Sequence, residues 1–444
     1  MAPQVPSTHR VAFLARRAAM AVVAATVLGA ATAPAASAAG AGAPAAPAAP
    51  AAPKKLPEGL YGTKDPQYDG VWRQSLALLA QDTVGVKPAA PAVEWLAGQQ
   101  CADGAFTAFR AEPGTACNAK TMRDTNQTAA AIQALAALGG HGEAVHKALN
   151  WLKSVQNDDG GWSSMPGSPS DANSTAVVIG AFVAAGERPE SSTSKKGGKT
   201  PYDGLLTFRL GCDAKEGERG AFTFQLKGKA PNADATAAAT TGALRKGFVV
   251  APAGGGSDSP VKPLSCKEGE DSRGSKEGVA GPAARAAEGG AAYLVAQLDK
   301  NGQHLPSAMP GQEKQPDVGN TADTVVALAA GGHRAAAQRP LAWLKKNASA
   351  WAKENGPAAY AQLVLAAHAT GADPRSFGGT DLVAALNATG PKPAAVAPGK
   401  GAQDSKDAKG SEGGFKLWWV IGVGLAFGAG IGFLLSGRRK KNAL

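Results

Sequence analysis

Four short polar runs carry the side chains best suited to hold a ligand. They are Asp124, Asn126 and Thr128; Asp171, Asn173 and Thr175; Asn232, Asp234 and Thr236; and Asp317, Asn320 and Thr321. Each run precedes an Ala-rich stretch. Oxygens of Asp, Asn and Thr there accept hydrogen bonds from the orphan amides of a helix start. The same oxygens can bind a polar ligand, but no run matches an EF-hand calcium loop. The histidines, His9, His141, His146, His304, His333 and His368, are scattered, and His141 and His146 have a poor metal spacing. No metal centre and no catalytic residue is expected. Cys101, Cys117, Cys212 and Cys266 contain no C-x-x-C pair. In an exported chain their even number points to disulfides. Three pairings are open, and Cys101–Cys117 with Cys212–Cys266 is favoured because each brackets one connecting segment.

A longer repeat must position these runs. Each unit reads as an aromatic helix, a turn rich in Asp and Gly, an aromatic, a polar run and an Ala-rich helix. The first has Glu94-Trp95-Leu96, then Gln100-Cys101-Ala102-Asp103-Gly104-Ala105-Phe106. The second has Asn150-Trp151-Leu152, then Gln156-Asn157-Asp158-Asp159-Gly160-Gly161-Trp162. Phe208 and Gly220-Ala221-Phe222 mark the third, Tyr293 and Asn301-Gly302 the fourth. A fifth begins at Trp343-Leu344 and lacks the polar run. Trp95, Trp151 and Phe208 stand 56 and 57 residues apart, whereas Phe208 to Tyr293 is 85, the excess being a Gly/Ser/Pro/Lys insertion near 248–282. Glycines after Leu138 and Ala330 read as helix stops. Strand signals are nearly absent. The Ala-rich helices are expected inside and the Trp-bearing helices outside, with neighbours stacked to bury each pair's apolar stripe.

Gln156 to Trp162 resembles the Q-x-x-D-G-G-W turn of the prenyltransferase and squalene-cyclase repeat, and Gln100 to Phe106 is a looser copy. The resemblance implies an all-α chain, an α/α toroid over 67–388, as in terpenoid cyclases. The D-x-D-D acid of class II cyclases, the zinc set of protein prenyltransferases and the C-G-E-Q thioester have no counterpart here. Cobalamin carriers use the same toroid without catalysis, and this chain resembles those carriers most. In a toroid all four polar runs face one end. A ring of helix N-termini there is expected to favour an anionic or hydrogen-bonding ligand. Phe106, Trp162 and Phe222 are expected to floor or rim it.

The ends define export. Arg10, Arg16 and Arg17 precede an apolar, then small-residue stretch with Ala36-Ser37-Ala38 as cleavage site. Residues 1–38 read as a signal peptide, with the Sec and twin-arginine routes both open. An Ala/Pro spacer is expected over 39–66 and a flexible linker over 389–416. Leu417 to Leu435 is an uncharged run long enough for a bilayer core, flanked by Trp418 and Trp419 and by the basic tail 436–444. The expectation is a single-pass plasma-membrane protein with its bulk outside. Gly424, Gly428 and Gly432 share a helix face and would allow a dimer. The formal charge of +11 comes largely from these ends, so no nucleic-acid partner is expected.

Three functions follow as expectations. The first is a surface carrier of a small molecule, a corrinoid or another anionic cofactor, passed to a transporter. The second is a scaffold for a surface protein or wall polymer, with a narrow Ala-filled centre. The third is an enzyme on an isoprenoid or polysaccharide.

Overall fold

The computed structural model describes residues 56–394 apart from 228–229, 253–257, 267–279 and 309–310. Signal peptide, most of the spacer, apolar run and basic tail lie outside the described residues. Among the described residues no helix is long and apolar enough to cross a membrane.

Among the described residues twelve α-helices form two layers. The inner layer is α1 (Gly70–Thr83), α3 (Thr125–Leu138), α5 (Ala172–Ala184), α7 (Ala233–Ala243), α9 (Val318–Ala330) and α11 (Pro357–Ala369). The outer layer is α2 (Ala90–Gly98), α4 (Gly142–Ser154), α6 (Pro201–Leu206), α8 (Ala280–Lys300), α10 (Arg334–Asn355) and α12 (Leu382–Asn387). Each inner helix packs on the next inner helix, and α11 packs back on α1, so the inner ring closes. α1 precedes the first repeat expected from Trp95 and carries no polar run before it.

Small residues set the spacing of the inner ring. A Cβ on Gly242 of α7 would lie 3.1 Å from Ala176 of α5. The core of Leu, Val, Ala and aromatic side chains lies between the layers.

The ring includes chain at both ends that was expected to be spacer and linker. Tyr61 is fully buried. Its amide donates to Gln74 Oε1 at 2.9 Å and its hydroxyl to Pro391 O at 3.2 Å. Gly62 N donates to Thr389 O at 2.8 Å, and Gln81 Nε2 to Asn387 Oδ1 at 2.6 Å. Residues 56–66 and 389–394 form the seam where the ring meets itself.

The repeated turn has a mechanical explanation. Gln156 Nε2 donates to Gly160 O at 2.8 Å, and Gly161 N donates to Asp159 Oδ1 at 2.9 Å. Gly160, at φ +89°, lies against Thr200 O, the start of α6. Trp162 is fully buried and its indole donates to Leu152 O at 2.8 Å. The threonine of each polar run ties its turn to the next inner helix. Phe106 N, Trp162 N, Phe222 N and Leu305 N donate to Thr128, Thr175, Thr236 and Thr321 Oγ1 at 2.8, 3.1, 2.9 and 2.9 Å. Thr175→Val leaves the buried Trp162 amide unpaired, and we expect a loss of about 1–3 kcal/mol in urea unfolding. An unchanged midpoint would remove this role.

Both disulfides are present, Cys101–Cys117 and Cys212–Cys266. The second ties down the insertion after α7, and the start of that insertion is not surplus. Gly247 packs against Gly180 of α5, Phe248 N donates to Gln133 Oε1 of α3 at 2.9 Å, and Phe248 stands edge-on to Trp72 of α1 at 5.3 Å. Ser259 N then donates to Gly332 O beyond α9 at 3.1 Å. Residues 247–248 therefore pack against three inner helices, and Ser259 is held just beyond the end of a fourth.

Candidate functional site

A cavity of about 380 Å³ lies within the inner ring, with lining residues from all six inner helices. One set is polar and comes from the first turns: Asn126, Asn173, Asp234 and Asn320, joined by Asp323 and Gln362. The other is largely apolar and aromatic, with Trp72, Leu76, Phe248, Val326 and Leu365, and with Lys246 after α7.

The polar runs divide by position. Asp124, Asp171, Asn232 and Asp317 are helix caps, accepting from Gln127 N, Ser174 N, Ala235 N and Asn320 N at 2.9, 2.7, 2.8 and 3.0 Å. Thr128, Thr175, Thr236 and Thr321 are buried ties. Asn126, Asn173, Asp234 and Asn320 line the cavity. Two or three residues past the cap, the helix turns its side chain to the ring axis. Phe106, Trp162 and Phe222 were expected at the site and are not there. All three are fully buried, outside the cavity lining, because the turn drives them into the core.

The electrostatics are unusual. Asn173 Nδ2 donates to Asp234 Oδ2 at 2.8 Å, bridging α5 and α7. Burial raises the Asp234 carboxyl above the usual range; repulsion from Asp317 and Asp171 adds to this and the Asn173 hydrogen bond opposes it. Asp323 lies one turn beyond Asn320 on α9. Burial, then repulsion from Asp234, pushes it up to about 7, and long hydrogen bonds from Gln362 Nε2, 3.3 and 3.4 Å, only partly compensate. Asn126 Oδ1 and Asn173 Oδ1 are buried without a hydrogen-bond partner. Such atoms cost free energy unless a ligand or water satisfies them.

These charges argue against an anionic ligand. The positive ends of α3, α5 and α9 already face the carboxylates of their own caps, and α7 carries Asp234 in its first turn. The helix-end field is met by protein anions, and an added anion would face Asp234 and Asp323.

Asp323 and Gln362 were missed in the sequence. Asp323 could have been found from its three-residue spacing after Asn320, which puts both on one helix face. Gln362 belongs to a unit without the polar run and gave no signal.

The sequence matches no family profile and no curated protein. Among solved structures it is similar to a protein from Actinoplanes, at 14% identity over 72% of this chain and 95% of that one, with TM-score 0.44. It is also similar to ent-copalyl diphosphate synthase from Streptomyces platensis, at 17% identity over 68% of this chain, with TM-score 0.43. The match covers 50% of that synthase. A wild-type glycosidase matches at 12% identity over 68% of this chain and 86% of its own, with TM-score 0.37. These are distant likenesses between helical chains and bear on no activity.

Proposed function

We propose that this chain is a non-catalytic carrier that holds a small molecule in the cavity of its helical ring, outside the cell. It would be a member of the prenyltransferase and squalene-cyclase repeat superfamily, beside the cobalamin carriers. In this reading residues 1–38 direct export and residues 417–435 anchor the ring to the plasma membrane. The observation that carries it is the cavity itself. A scaffold would have an Ala-filled centre, whereas here about 380 Å³ is left open, lined by both polar and aromatic side chains. That volume is at the low end of ligand sites, roughly 300–1,000 Å³. A corrinoid exceeds it and would have to lie across the polar end. The loops before α1, α3, α5 and α7 expose Tyr68, Met122, Met165 and Phe224 around that end. This apolar collar suits docking on a transporter.

Melting of the full chain against corrinoids, haem, isoprenoid phosphates, glycans and amines tests the reading. A true ligand at about 100 times its dissociation constant adds roughly 2.7 kcal/mol. Ala238→Phe, which fills the cavity from α7, should abolish the shift while the protein still folds. A shift that survives Ala238→Phe would place the ligand elsewhere, and no shift with any class would favour the scaffold.

One observation favours a catalytic second reading. Asp323 is an acid poised near neutrality within the cavity, a setting that suits proton donation. Incubation with isoprenoid alkenes in deuterated water would show deuterium in recovered product if it donates, and none if it does not.

A further inference from the structure

The polar side chains of the cavity include several acceptors, with Lys246 as a charged donor in the same lining. The Asp234 carboxylate can only accept, so the Asn173 amide must turn its NH₂ to it and its Oδ1 away. That oxygen is buried and has no partner, as is Asn126 Oδ1. Asn320 likewise commits Nδ2 to Asp317 Oδ2 at 2.8 Å. Asp323 adds a second carboxyl. Orphan amide oxygens call for N–H or O–H donors, and two adjacent carboxyls call for positive charge. An ammonium or guanidinium group supplies both. The rest of the lining asks for something else: Trp72, Phe248 and Leu365 present apolar surface.

We propose that the cavity binds an amphiphilic amine, its cationic head among Asn126, Asn173, Asp234 and Asp323 and its apolar body along Trp72, Phe248 and Leu365. This rests on the cavity being the ligand site and names the chemistry that site selects. A cation beside Asp323 favours its ionised form, so binding releases a proton and strengthens as pH rises through neutrality. Asp234 on α7 and the cap Asp317 face Asp323 and favour its protonated form, the hydrogen bond from Gln362 on α11 opposes this, and Lys246, a cation, lines the same cavity.

Isothermal titration of the full chain with 3-phenylpropylamine, 3-phenylpropanol and 3-phenylpropionate is the test. These probes share a body and differ in the head, and the amine stays charged from pH 5.5 to 8. The expected order at pH 8 is amine, then alcohol about tenfold weaker, with the carboxylate weakest. The amine should weaken about tenfold at pH 5.5. Asp323→Asn should cut amine affinity at pH 8 about tenfold and flatten its pH dependence, with melting confirming the fold. Equal binding of amine and alcohol, or an amine indifferent to both pH and Asp323→Asn, would overturn the inference. Tighter binding of the carboxylate would overturn it and leave the cavity reading standing. No binding by any of the three would sink both.

Discussion

Asp323→Asn should make the protein more stable at pH 8, not less. In the folded chain the Asp323 carboxyl holds its proton up to about 7, against 3.8 for an ordinary aspartate. Between those values the unfolded chain has released the proton and the folded chain has not. The unfolded state binds fewer protons there, so stability falls as pH rises through this window and levels off above it. At about 1.4 kcal/mol per pH unit the loss is bounded at about 4 kcal/mol. Asparagine does not ionise and escapes the loss. Native and variant chains should therefore melt together near pH 4 and diverge towards pH 8, the variant higher. A variant equal to or below the native chain at pH 8 would mean that Asp323 is not held in this way. Retaining a side chain that weakens the fold is expected where it serves a ligand.

A loss of roughly 3–5 kcal/mol is expected for Gly160→Ala, near the top of the range for single substitutions. Gly160 has φ +89°, and an added Cβ would lie 2.2 Å from Thr200 O. The start of α6 would have to move, disturbing the capping box between Thr200 and Asp203. Gly167→Ala is the control. Its φ is +85° but nothing lies within 4 Å of an added Cβ, so only the backbone strain of about 1–2 kcal/mol applies. Urea unfolding of the pair separates the two causes. Equal losses would mean that close approach to α6 is unimportant.

Much of the architecture was legible because each unit repeats the same local physics. Caps such as Asp124 and Asp171, the stop after Leu138 and the turn around Gly160 mark helix boundaries within a few residues. The disulfide pairs were also legible, since each closes one connecting segment. The ends of the ring were not. Tyr61 follows an Ala/Pro tract that cannot fold alone, and one of its partners, Pro391, lies over 300 residues away. The site was half legible. Helix phase after a cap brings Asn126, Asn173, Asp234 and Asn320 to the axis, but the same caps look identical whether or not a cavity lies beneath them. Phe248 and Gly247 were hidden in a segment whose Gly/Ser/Pro composition reads as surplus. Their role comes from packing against α1, α3 and α5, a tertiary fact without local pattern. The raised Asp323 pKa comes from burial and then from Asp234 on another helix, and no spacing rule reports either.

The seam between α1 and α11 has a consequence for how such a molecule can change. An open stack of helix pairs can gain or lose a unit, fray from a free end and unfold in stages. In this molecule Gly62 is bonded to Thr389 and Gln81 to Asn387. An added pair would force every inner crossing angle to adjust, and a missing pair would leave two apolar faces bare. Unit number is therefore frozen by closure, and variation has to work through the residues on the inner wall. One side chain per helix turn can then alter what the ring holds while its circumference stays the same.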